Sequence, residues 1–350
     1  MNRFLISLAF AYCCFDAFAA DAPVASLDLG KFGYQFTGST SAFADYTDIG
    51  FLSEDLLLIS INQRSFGPVE PMFADGPGSR VIVFDLKHRS VLTSGTMFAE
   101  KMAGSVQLIN GERFAVLNEK GVQFCDIALH CGPPIQTKGP LLVSPQGTRV
   151  AVGGNGLTPQ IVVDTESLKQ IEVIHRPQKF QEMAIPGDGA ILVHADNWIT
   201  VRRSGTKQVS FHVVDRGTFP EFRFLNSWSL AGLDHDASEV VVLGLDGHEI
   251  RRYKVEKAWR TGFLPATSGT RFAIYEHGYT TLNSIMNFLD IDDGRPQNFQ
   301  RVRVIDMPSG NEVYKLEWDP RPHLIKPALS PSGHRIARVR AAALEVFQIN

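Results

Sequence analysis

The residues that could do chemistry in this chain recur at regular intervals. Four aspartates end short apolar runs, at Asp85, Asp164, Asp215 and Asp306. Four arginines stand in a Gly-x-Arg-apolar-Ala pattern, at Arg113, Arg149, Arg271 and Arg335. Each aspartate precedes a turn whose amides its side chain can cap, and each arginine offers five donors to a neighbouring strand or repeat unit. We therefore interpret both series as structural, in preference to a ring of ligands.

A further acidic cluster stands outside these series, at Asp290, Asp292 and Asp293. Oxygen-rich loops can hold calcium, but an EF-hand loop needs alternating ligands with Gly at the sixth position and Glu at the twelfth. This segment does not fit that spacing. A solvated turn is the favoured interpretation, and no metal ligand is predicted.

The same segment also carries large apolar side chains, at Tyr279, Met286 and Phe288. Long irregular loops in compact domains are often functional. We expect the loop at about 276–300 to fold over one face of the protein. We predict a partner-binding loop that includes Tyr279, Met286, Phe288, Asp290, Asp292 and Asp293.

The cysteines fall into two pairs. Cys13 and Cys14 lie in an apolar amino-terminal segment, whereas Cys125 and Cys131 are separated by five residues in the body of the chain. The second spacing is neither C-x-x-C nor part of a larger Cys/His set, so it does not indicate a metal or redox pair. A local disulfide between Cys125 and Cys131 is the favoured interpretation, and two free thiols are the alternative.

Signatures of catalysis are not found in the sequence. The ten histidines form no H-x-H or H-E-x-x-H motif, and there is neither a G-x-S-x-G elbow nor a Walker loop. A triad assembled from distant residues stays open. The sequence predicts no catalytic residue and no cofactor.

The composition is that of an ordinary globular protein. Of 350 residues, 44% are hydrophobic and 20% are charged, which excludes disordered and low-complexity classes. The formal charge of −3, from 34 basic and 37 acidic residues, gives no basic excess that would indicate nucleic acid.

The amino terminus resembles a secretory signal. Arg3 precedes an almost wholly apolar stretch at 4–15, and Ala17, Phe18 and Ala19 match the small-x-small pattern of a cleavage site. A membrane anchor is the alternative, but the stretch is shorter than the roughly twenty residues that a span needs. We expect a signal peptide at 1–19, cleavage after Ala19, and an exported protein, periplasmic or secreted, with no membrane span.

The mature chain repeats one unit. The Gly-x-Arg-apolar-Ala pattern begins at Gly111, Gly147, Gly269 and Gly333, and Gly147 and Gly269 lie 122 residues apart, or three steps of about 41. Each unit adds a second apolar run that ends in Asp, and its turns contain Ser-Pro and Gly. A weaker copy at Gly189, a degenerate one near residue 230 and an early one at Phe51 bring the count to seven.

This rhythm resembles the WD40-like and YVTN-type seven-bladed β-propellers of exported bacterial proteins. The resemblance implies an all-β, seven-bladed β-propeller of four-stranded antiparallel blades, as a single domain at 20–350. The last unit lacks an outer strand, and the segment 24–29 could supply it and close the ring. Most units lack the Gly-His and Trp-Asp pairs of a true WD40 repeat, and the loop at about 276–300 is an insertion.

Three functions agree with this resemblance. The favoured one is a monomeric, non-catalytic scaffold that binds an exported protein, a peptide or an envelope glycan. The second is a lactonase-like or quinoprotein-type enzyme with a metal or cofactor at the channel mouth. The third is a propeller subunit that supports an electron-transfer partner.

Overall fold

The structure is a computed structural model. It describes residues 22–34, 45–63, 79–97, 106–109, 113–118, 120–136, 141–144, 147–153, 159–174, 181–184, 191–195, 198–202, 209–212, 223–226, 228–234, 238–255, 260–279, 298–318 and 325–350. These residues form 27 β-strands in seven antiparallel sheets, which we number as blades 1 to 7.

The strands of each blade follow in chain order from its first to its last. Blade 1 contains β2 (Asp45–Phe51), β3 (Leu56–Gln63), β4 (Ser79–Asp85) and β5 (Ser90–Met97). Blade 2 contains β6 (Val106–Leu108), β7 (Arg113–Asn118) and β8 (Gly121–Asp126). Blade 3 contains β9 (Leu141–Val143), β10 (Arg149–Gly153), β11 (Gln160–Asp164) and β12 (Gln170–Ile174). Blade 4 contains β13 (Gln181–Ala184), β14 (Ile191–Ala195), β15 (Trp198–Arg202) and β16 (Val209–His212).

The remaining blades complete the ring. Blade 5 contains β17 (Arg223–Phe224), β18 (Ser229–Asp234), β19 (Glu239–Gly244) and β20 (Glu249–Lys254). Blade 6 contains β21 (Arg260–Pro265), β22 (Arg271–Tyr279), β23 (Asn298–Asp306) and β24 (Glu312–Trp318). Blade 7 contains β25 (Ala328–Leu329), β26 (Arg335–Arg340), β27 (Ala343–Gln348) and, from the other end of the chain, β1 (Ala25–Asp28).

The blades form a closed β-propeller. The first strands adjoin one another in chain order, from β2 through β6, β9 and β13 to β17, and β25 returns to β2. The first strand of each blade is therefore the inner strand, beside the central channel, and the fourth is the outer strand. The seven-bladed all-β fold that the repeats predict is confirmed.

The apolar core is divided among the interfaces between neighbouring blades. Leu58 and Val83 of blade 1 pack with Phe114 and Val116 of blade 2, and all four are buried. A sheet that has neighbours on both faces buries consecutive residues, as β4 does, whereas the outer β5 is largely half-exposed and contains Ser and Thr. Burial of each such side chain stabilises the fold by roughly 1.5–3 kcal/mol.

The amino-terminal strand closes the ring as expected. β1 pairs with β27, with Ala25 opposite Val346 and Asp28 opposite Ala343. A single 3-10 turn, Leu29–Phe32, follows, and it is the only helical element in the described ranges. Leu29 is fully buried between blades 7 and 1. Within the described residues, no helix has the length and apolar character needed to cross a membrane.

Blade 2 departs from the expected four strands. Its described residues form three, and the place of the outer strand is occupied by the segment 127–136. That segment forms no continuous ladder with β8 in the described residues; it pairs through isolated bridges, Val122 to Ile135 and Cys125 to Cys131. Pro133 and Pro134 have no backbone N–H, so they cannot continue a strand ladder.

The predicted insertion lies in blade 6. β22 and β23 contain nine residues each, and they pair as far as Tyr279 and Asn298. The insertion therefore joins the second and third strands of this blade. Met286, Phe288, Asp290, Asp292 and Asp293 lie outside the described residues.

A candidate binding site at the mouth of the central channel

The repeated aspartates cap turns. Asp85, Asp164 and Asp306 each end the third strand of a blade, and each accepts a hydrogen bond from the backbone amide three residues later. The N–O distances are 3.0 Å from His88, 2.8 Å from Ser167 and 3.1 Å from Ser309. Asp215 lies outside the described residues. The structural interpretation of the three described aspartates is confirmed.

Hydrogen bonding lowers the pKa values of these carboxyl groups. The Ser309 hydroxyl, and then its amide, lower the pKa of Asp306. The Ser167 amide and hydroxyl lower the pKa of Asp164, and the side chain of His88 lowers that of Asp85. A carboxylate that accepts such bonds is favoured in its charged form, so the turns keep their acceptors at neutral pH.

Three of the repeated arginines join one blade to the next. Arg113 of blade 2 donates to the carbonyl of Thr165 in blade 3 at 2.9 Å. Arg271 of blade 6 donates to the carbonyl of Gly333 in blade 7 at 3.4 Å. Arg335 of blade 7 closes the ring, because it donates to Oδ1 of Asp55 in blade 1 at 2.8 Å. These three side chains serve contacts between blades, as the sequence interpretation requires.

The turns that contain Ser-Pro and Gly are built alike in blades 3 and 7. The hydroxyl of Ser144 accepts from the amide of Arg149, and that of Ser330 accepts from Arg335, each at 3.1 Å. Gly333 has a φ of 78°, and a Cβ there would lie 2.7 Å from Cβ of Arg271. Glycine is therefore required at that position, and the turn is held rigidly.

These turns lie on one face of the propeller, which we call the turn face. It carries the connections between first and second strands and between third and fourth strands. Tyr279, at the end of a second strand, lies toward the opposite face, so the predicted partner-binding loop begins there. The disulfide candidates lie at the outer edge of blade 2.

A cavity of about 530 Å³ opens at the centre of the turn face. The inner strands of blades 1, 2, 3, 6 and 7 wall it, together with the turns that follow them. Most of the wall is apolar, and polar side chains stand on it, among them Asp48, Gln107, Ser144, Thr267, Ser268 and Lys326. A concave apolar wall with a few polar groups is the usual form of a ligand pocket.

Glycines of two inner strands, Gly50 in the wall of the cavity and Gly262 beside it in blade 6, allow close approach of neighbouring side chains. A Cβ at Gly50 would collide with the side chain of Leu108 in blade 2, so glycine lets the neighbouring blade approach. A Cβ at Gly262 would collide with the hydroxyl group of Tyr275. The ring of Tyr275 in turn lies 5.7 Å from the ammonium of Lys326, an attractive cation–π contact.

Blade 5 adds an exposed aromatic side chain to the turn face. Trp228, in the turn between its first and second strands, is 53% exposed. The side-chain oxygen of Asn226 accepts from the amide of Trp228 at 2.9 Å and from that of Ser229 at 2.8 Å. These bonds define the backbone of the turn from which the exposed indole projects.

Sequence reasoning did not identify the residues of the cavity. Asp48 and Lys326 lie at nearly opposite ends of the chain, and each reads locally as an ordinary residue in or beside a strand. The repeat itself could have located these residues, because the short apolar run before each Ser-Pro turn forms an inner strand. Among the described residues, no group of three or more His, Cys, Asp or Glu is placed to hold a metal ion.

Comparison with known proteins supports the fold. No protein family and no curated protein sequence matches the chain. Among solved structures, the chain is similar to the Cps50 (Swd1) β-propeller domain of Myceliophteria thermophila, at 12% identity and a TM-score of 0.57, over 87% of this chain and 97% of that one. It is also similar to Hsv2p of Kluyveromyces lactis, at 10% identity and a TM-score of 0.52, over 88% and 98%.

A bacterial protein is also similar. A functionally unknown protein from Desulfotomaculum acetoxidans shares 14% identity at a TM-score of 0.50, over 77% of this chain and 89% of that one. At such identities the likeness concerns the fold alone, and function has to be argued from the site.

Proposed function

We propose that this β-propeller is an exported, non-catalytic binding scaffold, and that its binding site is the mouth of the central channel. The observation that carries the proposal is the cavity of about 530 Å³ at the centre of the turn face. Its volume falls in the range of roughly 300–1,000 Å³ that is typical of ligand pockets. A short segment of an exported protein, a peptide or a glycan unit fits this size.

The rigidity of the turn face supports a binding role. At the rim of the cavity the hydroxyls of Ser144 and Ser330 accept from amides within their turns, and Arg335 donates to Asp55 in the turn after β2. A preorganised site loses little conformational entropy when a ligand binds. The exposed Trp228 adds a large apolar surface on the same face, of the kind that dominates binding energy at interfaces.

Two features support export. The segment 1–19 has the pattern of a secretory signal, and the chain after it keeps two cysteines. In the structure Cys125 and Cys131 are joined by a disulfide, with the sulfur atoms 2.08 Å apart. Such bonds persist in oxidising compartments.

The test is site-specific photo-cross-linking in the exporting cell. A photoreactive amino acid replaces Ser268, an exposed residue on the rim of the cavity. The matched control carries it in place of Ser94, an exposed residue on the outer strand of blade 1. We expect a discrete adduct from position 268 that is absent from position 94. The same adducts from both positions, or none from position 268, would overturn the assignment of the channel mouth.

A thermal-shift titration separates the scaffold from the enzyme. The purified protein is titrated with calcium, copper and pyrroloquinoline quinone, and binding to the folded state alone raises the midpoint. We expect no saturable shift. A shift that Ser268→Trp abolishes and Ser94→Trp preserves would favour a metal or cofactor enzyme at the channel mouth over the scaffold.

A further inference from the structure

We propose that the disulfide Cys125–Cys131 is a thiol–disulfide exchange site, and that its reduction detaches the segment 127–136 from the outer edge of blade 2. We call this segment the edge cap. The proposal goes beyond the binding role of the channel, because it concerns the outer edge of blade 2, whereas the channel is lined by inner strands. Its substrate class is a dithiol reductant.

The edge cap covers β8 with few hydrogen bonds. The amide of Gly132 donates to the carbonyl of Phe124 at 2.9 Å, and the amide of Ile135 donates to that of Val122 at 2.8 Å. The amide of Val122 donates back to Ile135 at 3.0 Å. These bonds pair backbone amide and carbonyl groups of β8 that point away from β7. In the other blades a regular outer strand pairs the equivalent groups.

The composition of the edge cap blocks further strand addition. Pro133 and Pro134 are exposed and have no amide hydrogen to offer to another strand. Prolines at a sheet edge are a known means of preventing edge-to-edge pairing. Blade 2 therefore has a protected edge only while the cap stays in place.

The disulfide is the covalent contact of the cap, and two further hydrogen bonds join the cap to β8: the side-chain amide of Gln123 donates to the carbonyl of Gly132 at 3.0 Å, and the amide of Asp126 donates to that of His130 at 3.0 Å. The apolar residues of the cap, Ile127, Leu129 and Ile135, are only partly buried. Leu129 has a φ of 66°, a left-handed conformation that is unfavourable for a residue with a Cβ. The side chain of Asp126 supports this strained loop by accepting from the amides of Ala128 and His130, each at 2.9 Å. The covalent link and these hydrogen bonds together maintain a loop that contains one unfavourable backbone conformation.

The two sulfur atoms differ in access. Cys131 is exposed, whereas Cys125 is 2% exposed and packs among apolar side chains at the interface of blades 1 and 2. A thiolate of the reductant attacks the sulfur of Cys131, the S–S bond breaks, and Cys125 leaves as a thiolate that takes a proton. The second thiol of the reductant then displaces Cys131, so the reductant ends as a disulfide and the protein as two thiols. A protonated Cys125 suits its apolar surroundings.

Hydrogen exchange on the full mature protein tests this proposal. It is measured at the amides of Val122, Gly132 and Ile135, before and after treatment with dithiothreitol. We expect these three amides to lose most of their protection on reduction. The amides of Gln123 and Cys125, which by the alternation of an antiparallel ladder face β7, serve as internal controls and stay protected.

The variant Cys131→Ser gives the matched comparison. It changes an exposed atom, so the fold is retained, and its amides should exchange as in the reduced protein with or without dithiothreitol. Equal protection in the oxidised and reduced proteins would overturn the proposal, because the cap would then hold without the disulfide. Loss of protection throughout blade 6 on reduction would also overturn it, because the bond would then support the whole fold. Two alkylatable thiols in the protein before reduction would show that the exchange site does not exist.

Discussion

In the described part of the chain, blades 2 and 7 have no outer strand from their own stretch of sequence, and they fill its place in different ways. Blade 7 receives β1 from the far end of the chain, with four residues in register along β27. Blade 2 receives a neighbouring segment that one disulfide holds against β8. The first solution joins the two ends of the ring, whereas the second closes a loop of a few residues.

The difference concerns which part of the fold each closure supports. β1 and the buried Leu29 complete the apolar interface between blades 7 and 1, so their loss exposes a core. The edge cap lies at the circumference, and its residues are mostly exposed or partly buried. Closure by β1 should therefore support the whole ring, while the disulfide should support one edge.

The largest effect is expected from removal of β1. A chain that begins at Gly30 lacks β1 and Leu29, and we expect its free energy of unfolding to fall by about 4 kcal/mol or more relative to the chain from Ala20, since loss of one buried Leu alone costs roughly 2–5 kcal/mol. Urea unfolding followed by circular dichroism measures the change. A synthetic peptide of residues 20–29, but not a scrambled one, should raise the midpoint again. Equal stability of the two chains would contradict the role given to β1.

A smaller effect is expected from the disulfide. Cys131→Ser should lower the free energy of unfolding by at most about 2 kcal/mol, because a disulfide that closes so short a loop removes little conformational entropy from the unfolded chain. The urea midpoint of the variant measures this change, compared with that of the parent protein. A loss of stability as large as that caused by removal of β1 would show that the disulfide supports the whole ring and not one edge of blade 2.

The ring should lose about 1 kcal/mol when one contact between blades is removed. Arg335→Ala deletes the donor to Asp55 across the closure, and Arg113→Ala deletes the donor to Thr165 between blades that are continuous in the chain. Arg340→Ala, at the exposed end of β26, is the control and should change stability by less than about 0.5 kcal/mol. If Arg335 matters no more than Arg340, its contact does not help to close the ring.

The sequence predicted those parts of the fold that depend on local turn chemistry and repetition. The Gly-x-Arg-apolar-Ala pattern marked the second strands β7, β10, β22 and β26. The outer strand of blade 7 could be inferred, because the last unit has only three strands of its own and an apolar segment near the amino terminus was available to pair with them. The missing strand of blade 2 could not, because the run that ends at Asp126 reads like its equivalents in other blades.

The candidate site was less accessible to sequence reasoning. The cavity is built from inner strands that are far apart in the chain, and its polar residues form no motif. Only the assembled ring brings Asp48 and Lys326 to the same channel. Of the predicted partner-binding loop, only Tyr279 belongs to a described strand, so that loop stays a prediction.

The smallest expected effect concerns the turns with capping aspartates. These turns take no part in either closure of a blade edge. The folded pKa of Asp306 lies below its unfolded value of about 3.9, so its stabilisation is fully present above about pH 4 and is lost as the pH falls through the folded pKa. Urea midpoints should therefore stay nearly constant from about pH 7 to about pH 5 and fall below about pH 4. Asp306→Asn should make that fall shallower, whereas Glu166→Gln, which changes the formal charge equally on an exposed turn, should not. The same slope in both variants would mean that the acid sensitivity of the ring does not arise from the Asp306 turn.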